Sequence, residues 1–131
     1  MNIFGIGTDI VSVDRIKNSL KNKKFISRIF NEKEILKCKK NNNSINCYAK
    51  RFAAKEAFSK ALGTGISNGI NFNEIVVLNK KSGKPYISII GQTKKILKKK
   101  FKRKKSKISL SLSDEKKYAV AFVTISIWKK I

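Results

Sequence analysis

ISLSLSDEKKYAVAFVTI, residues 108–125, decides the fold. Ile108, Leu110 and Leu112 alternate with Ser109, Ser111 and Ser113, the two-residue period of a strand with one face buried. A tight SDEKK turn then leads into a second apolar strand, and two strands joined so closely pair antiparallel. Upstream, NIFGIGTDIVSV (residues 2–13) is apolar and β-branched with two glycines, and reads as a buried first strand. Asp14 stands where an N-cap would start a short helix from Arg15 to about Leu20. Residues 23–40 hold two helical pieces; the second starts at Asn31, with Glu32 and Glu34 in a first turn where the helix dipole favours acids. A polar loop, KKNNNSIN (residues 39–46), precedes a long helix over residues 45–62, rich in Ala and stopped by Gly63. Residues 72–78 and 85–90 form a hairpin around KKSGK, and residues 92–101 a helix whose KKKFKRKK end places cations at its C-terminus. The class is α+β: one domain over residues 1–131, with a mainly antiparallel sheet packed with one long and several short helices.

The chain has 131 residues, a length typical of one domain. It carries 31 Lys+Arg against 8 Asp+Glu, a formal charge of +23, and no His. Without an imidazole, Ser-His-Asp and Cys-His chemistry and His-ligated zinc are excluded. The charge invites a nucleic-acid reading, but 27 of the 31 cations are Lys and only 4 are Arg, the residue favoured for bidentate phosphate and guanine contacts. Lys, Asn and Ile are inflated together, at 27, 12 and 19 residues, which points to compositional drift and a lysine-coated surface. Cys38 and Cys47 are too few and too far apart for a disulfide framework or a CxxC site, and read as reduced thiols of a cytoplasmic protein. No apolar run approaches the roughly 20 residues of a membrane span, and the N-terminus lacks the basic region of a signal peptide.

Scarcity makes the acids informative. Asp9 lies between Ile6 and Val11 in an apolar strand, where an unpaired carboxylate is costly; it either caps a turn after Gly7 and Thr8, pairs with a cation, or binds a metal. Glu56 falls on one stripe of the long helix with Ile45, Ala49 and Phe52, and Lys60 beside it. The plain alternative is an i,i+4 Glu56–Lys60 pair. Together Asp9 and Glu56 make a plausible hard-cation site, since Mg²⁺ is commonly held by one or two carboxylates, waters and substrate phosphates. The LGTGISNG segment (residues 62–69) could bring backbone amides to a phosphate, but its spacing is not that of a P-loop, and a helix C-cap followed by a turn accounts for it better.

FGIGTDIVSVDRI (residues 4–16), RFAAKEAFSKALGTG (51–65), GKPY (83–86) and SLSDEKKYAVAFV (111–123) resemble, in order and spacing, the holo-[acyl-carrier-protein] synthase family of phosphopantetheinyl transferases. That resemblance implies transfer of 4′-phosphopantetheine from coenzyme A to a serine of apo acyl carrier protein, with Mg²⁺ required and adenosine 3′,5′-bisphosphate released. It implies that Asp9 and Glu56 bind the metal and that Lys60 neutralises the pyrophosphate. It also implies that Arg51 and the Gly63, Thr64, Gly65 turn line the nucleotide site, and that Arg15 meets acids of the carrier protein. Many members have His where this chain has Asp114. The family's short members resemble trimers with the active site at the subunit interface; Phe122, Ile125, Ile127 and Trp128 are apolar residues that association would cover, or they are simply core.

Phosphoryl transfer depends on positioning and charge neutralisation, so no protein nucleophile is needed; Glu56 or a water on the cation would take the serine proton. The competing function is a small basic nucleic-acid-binding protein gripping phosphate through KKKFKRKK. It predicts aromatic residues interleaved on a basic face, whereas the basic run holds only Phe101, and it leaves Asp9 and Glu56 without a role.

Overall fold

The computed structural model describes residues 1–63 and 69–130. In chain order the elements are β1 (Asn2–Ser12), α1 (Val13–Ser19), α2 (Lys23–Ile29), α3 (Glu32–Lys39), α4 (Ser44–Leu62), a 3₁₀ turn (Phe72–Glu74), β2 (Ile75–Asn79), β3 (Pro85–Ile89), α5 (Gly91–Phe101), β4 (Lys104–Asp114) and β5 (Tyr118–Lys129). The fold is α+β and every ladder is antiparallel, divided between a three-stranded sheet in the order β1-β5-β4 and a β2-β3 hairpin. None of the helices is long and apolar enough to cross a membrane, among the described residues.

α4 is the centre of the molecule. Its Ala53, Ala57 and Ala61 lie against the inner face of the three-stranded sheet, where Ala121, Val123 and Ile125 of β5 are fully buried. Small residues on both sides allow this close contact. The limit is reached at Gly5 and Gly7 of β1, where an added Cβ would run into the backbone carbonyls of Ala61 and Ala57. The strand period predicted for residues 108–113 is present in β4, where Ile108, Leu110 and Leu112 are half-buried; β5 also alternates, with Ala119, Ala121, Val123 and Ile125 pointing inward while Tyr118, Val120 and Phe122 point out.

Several expectations need correction. Ser12, not Asp14, caps α1, because β1 runs straight into the helix; its Oγ accepts from the Arg15 amide and Asp14 sits inside the first turn. The segment expected to open the hairpin as strand, residues 72–74, is a 3₁₀ turn. β4 starts at Lys104, so part of the basic run is strand. Cys38 and Cys47 are joined as a disulfide, not free thiols. The polar loop turns α3 back onto the start of α4 and brings the two Cα atoms to 5.4 Å, so sequence spacing misrepresented their separation in space. Ile125 belongs to the core and is not available to a partner, whereas Phe122 is 46% exposed.

Candidate active site

Four of the residues singled out in the sequence meet on one side of α4. Most of α4 beyond its first turn is buried, but Phe52 and Glu56 are half-buried and Lys60 is exposed, so the stripe that carries the acid is open to solvent. Asp9 faces it from the middle of β1, opposite Ala121 of β5. That position is inside a ladder and removes the turn-capping reading. A cavity of about 360 Å³ is lined by Asp9 and Glu56, with Arg15 of α1 at its side and Phe25 and Phe52 as apolar walls.

Lys60 does not pair with Glu56. It reaches across to β1, its Nζ donating to Asp9 Oδ1 at 3.1 Å and to the Thr8 carbonyl at 3.0 Å. The Lys60 side chain is 55% exposed and the Asp9 side chain 14%, so the cation sits at the mouth and the carboxylate inside. Asp9 Oδ2 is buried without a hydrogen-bond partner, an expensive arrangement for an anionic oxygen. Burial raises the proton affinity of Glu56 above the ordinary carboxylate value, nearby Asp9 raises it further, and Lys60 opposes both. A bare carboxylate oxygen beside a second acid matches the hard-oxygen preference of Mg²⁺, and two carboxylates with waters and phosphates complete its usual shell. No cluster of three or more His, Cys, Asp or Glu occurs among the described residues. The two carboxylates therefore fit Mg²⁺.

Arg51 lies elsewhere. Five residues before Glu56, it points about 140° away around the helix, and is buried, with Nη1 donating to the Cys47 carbonyl at 3.3 Å and Nη2 to Asn79 Oδ1 at 2.9 Å. It lines a separate cavity of about 230 Å³ with Lys33, Lys37 and Tyr86, the last from the GKPY segment. Gly63 ends α4 in the left-handed conformation with open space around it; Thr64 and Gly65 lie outside the described residues. Asp114 accepts from Asn46 Nδ2 at 2.7 Å and pairs with Lys50 at 3.4 Å, tying the β4–β5 turn to the start of α4. The sequence reading missed Phe25, Lys33 and Lys37; a Phe or Lys on a short helix carries no local sign of the cavity that tertiary packing gives it.

The family model of the 4′-phosphopantetheinyl transferase superfamily matches residues 5–123. The chain is 54% identical to a holo-[acyl-carrier-protein] synthase of Pelagibacter ubique over 125 residues, covering 95% of this chain and 98% of that protein. The chain belongs to the holo-[acyl-carrier-protein] synthase family of this superfamily. Among solved structures it resembles the holo-[acyl-carrier-protein] synthase of Neisseria meningitidis with a TM-score of 0.83 and 40% identity, over 95% of this chain and 98% of that one. The Bacillus anthracis synthase, solved in complex with coenzyme A (3′,5′-ADP), matches with a TM-score of 0.77 and 37% identity, over 95% and 97% of the two chains. The matched range takes in the whole of α4, which presents Glu56 and Lys60 on one stripe.

Proposed function

We propose that this chain transfers 4′-phosphopantetheine from coenzyme A to a serine of apo acyl carrier protein, with Mg²⁺ and with release of adenosine 3′,5′-bisphosphate. The observation that carries the reading is the buried, unpartnered Asp9 Oδ2 sharing a cavity with Glu56, an arrangement that a divalent cation satisfies. Asp9 and Glu56 would hold the ion. When bound, it supplies positive charge to the pyrophosphate of coenzyme A. Lys60, exposed at the mouth, adds a mobile cation to the same phosphates and helps stabilise the charge that develops as the serine oxygen attacks the β-phosphorus. The serine proton passes to Glu56 or to water beside it. Arg15, on the wall of the cavity, offers its guanidinium to carboxylates of the carrier protein.

The proposed assembly is a homotrimer with active sites at its interfaces. Arg51 and the Asp9–Glu56 pair open into different cavities of one protomer, and a neighbouring copy would bring its Arg51 cavity to the Asp9–Glu56 pair so that one coenzyme A meets both. Ile6, Ile10, Val120 and Phe122, exposed apolar residues of β1 and β5, form a surface for that contact. A nucleic-acid-binding reading gives the two clustered acids nothing to do, since they repel phosphate in the absence of a metal.

The test is to incubate the protein with coenzyme A and apo carrier protein, with Mg²⁺ or with EDTA, and weigh the carrier by mass spectrometry. A Mg²⁺-dependent phosphopantetheine adduct is expected, and its rate should fall about a hundredfold or more in Glu56→Gln. No adduct would sink the assignment, and near-normal turnover of Glu56→Gln would remove Glu56 from both its roles.

A further inference from the structure

From residue 75 to residue 113 the chain contains no acid, and from residue 116 onward none again. Parts of these stretches, residues 100–104 and 127–130, meet beside the start of β1, at the opposite end of the three-stranded sheet from the β4–β5 turn. There a groove of about 860 Å³ has Phe4, Phe101 and Ile127 as its apolar lining and Lys100, Lys102, Arg103, Lys104, Lys129 and Lys130 around them. Phe4 meets Phe101 edge to face with centroids 5.0 Å apart, and Lys100 Nζ stands 5.6 Å from the Phe4 ring centre. Phe101 also belongs to an adjoining cavity of about 450 Å³, which adds Lys94 and Lys98 to the same basic face. None of these cations pairs with a carboxylate among the described residues.

We infer that this face is a docking surface for an anionic phospholipid bilayer, with headgroup phosphates on the cationic rim and the apolar Phe4–Phe101–Ile127 lining at the acyl boundary. Charge complementarity selects the occupant. A second copy of the chain would set cations on cations. A single small anion would use a fraction of a rim that extends across two cavities, whereas a membrane presents many negative charges in one plane. Duplex DNA would use the cations but has no need of the apolar lining, and the rim is five Lys to one Arg, against the preference for Arg in base and phosphate recognition. At the strand end beside the groove Met1 and Ile3 are 82% and 68% exposed and Phe4 is 36% exposed, giving the surface apolar residues to bury at an interface.

The full-length protein is mixed with vesicles of phosphatidylcholine alone, or of phosphatidylcholine with phosphatidylglycerol, at physiological salt, and the sedimented fraction is measured. Binding is expected only with phosphatidylglycerol. Each cation near an anionic surface contributes about fivefold to partitioning, so Lys100→Gln/Lys102→Gln/Arg103→Gln should lower it roughly a hundredfold. Lys21→Gln/Lys39→Gln/Lys40→Gln, which removes the same charge remote from the groove, should change it by less than about threefold because distant charges are screened. Phe4→Ser should weaken binding at unchanged net charge, with circular dichroism checking that each variant is folded; if Phe4→Ser unfolds, the paired triple variants decide alone. The inference is overturned by equal binding to neutral vesicles, by no binding, by equal losses in the two triples, or by displacement of the protein from vesicles by duplex DNA.

Discussion

Gly7 has no room for a side chain. A Cβ there would collide with the Ala57 carbonyl, and Asp9 lies two residues further along the same face of β1. Gly7→Ala should therefore destabilise the protein by about 1–3 kcal/mol, the usual range for overpacking, and lower transfer activity by shifting Asp9 relative to Glu56; thermal melts and carrier-protein mass spectrometry read the two effects. Lys55 is the other residue whose surroundings fix its role. Its side chain is 0% exposed, and Nζ donates to Glu34 Oε1 at 2.7 Å and to the carbonyls of Phe72 and Ile75, while Glu34 Oε2 accepts from the Val77 amide. Burial brings the Lys55 pKa down to about 8 despite the opposing pull of Glu34. Glu34→Gln alone should cost about 3–5 kcal/mol by leaving a buried cation uncompensated, and Glu34→Gln/Lys55→Met should recover much of it; denaturant unfolding of both variants measures the difference. Asp9 and Glu56 were legible in the sequence because eight acids among 131 residues leave few to weigh. Glu34 was read only as a helix-dipole acid and Lys55 was passed over, since nothing local distinguishes a lysine with a buried partner from the many that are solvated.

Elements were legible where local chemistry sets their limits. Asn31 and Glu34 form the complete capping box of α3, and Gly63 ends α4 as expected. What local signals did not show is how segments distant in sequence close one another. The exposed N-terminus of α5 is capped by Glu74 from the 3₁₀ turn, whose carboxylate accepts from the amides of Gln92 (2.9 Å) and Thr93 (3.1 Å) and from the Thr93 hydroxyl (2.8 Å). Burial alone would raise the Glu74 pKa, but hydrogen bonds from Asn71, Thr93 and Gln92 outweigh it and hold the pKa below the ordinary carboxylate value. A carboxyl depressed in the folded state stabilises it fully above the unfolded value, and that contribution is lost as pH falls through the folded value. Glu74→Gln should thus lower the melting temperature at neutral pH, and the gap to the parent should narrow in acid. The Cys38–Cys47 link joins α3 to α4 across nine positions. For so short a loop, the chain-entropy account gives about 2–3 kcal/mol, so Cys38→Ser/Cys47→Ser should unfold at lower denaturant than the oxidised parent and match the reduced one.

At the scale of the whole molecule, the three-stranded sheet has two unlike faces. The inner one packs on α4; the outer one sets Ile6 and Ile10 beside Val120 and Phe122, with Ser111 and Ser113 of β4 across from the last two. β5 was readable as an apolar strand, but which of its residues face inward was not, because Phe122 and Ile125 are equally apolar and only packing against α4 separates core from surface. The same limit applied to Arg51: its place in RFAAKEAFSKALGTG suggested the nucleotide, yet helical geometry turns it away from Glu56. If neighbouring copies join the two cavities, each active site takes Glu56 from one protomer and Arg51 from another. Glu56→Gln and Arg51→Gln proteins, each impaired alone, should then complement when dissociated, mixed and reassembled. In a random equal mixture half the protomers retain Glu56 and half retain Arg51, so roughly a quarter of the interfaces are intact at both positions, and about a quarter of parental activity should return. A third protein, Phe122→Asp, places a charge on the outer face and should sediment as a monomer, transfer little phosphopantetheine, and fail to complement either partner. Activity of the mixture no higher than the mean of its components would place both residues in one protomer's site, and undiminished activity of a monomeric Phe122→Asp would remove the interface from the reaction.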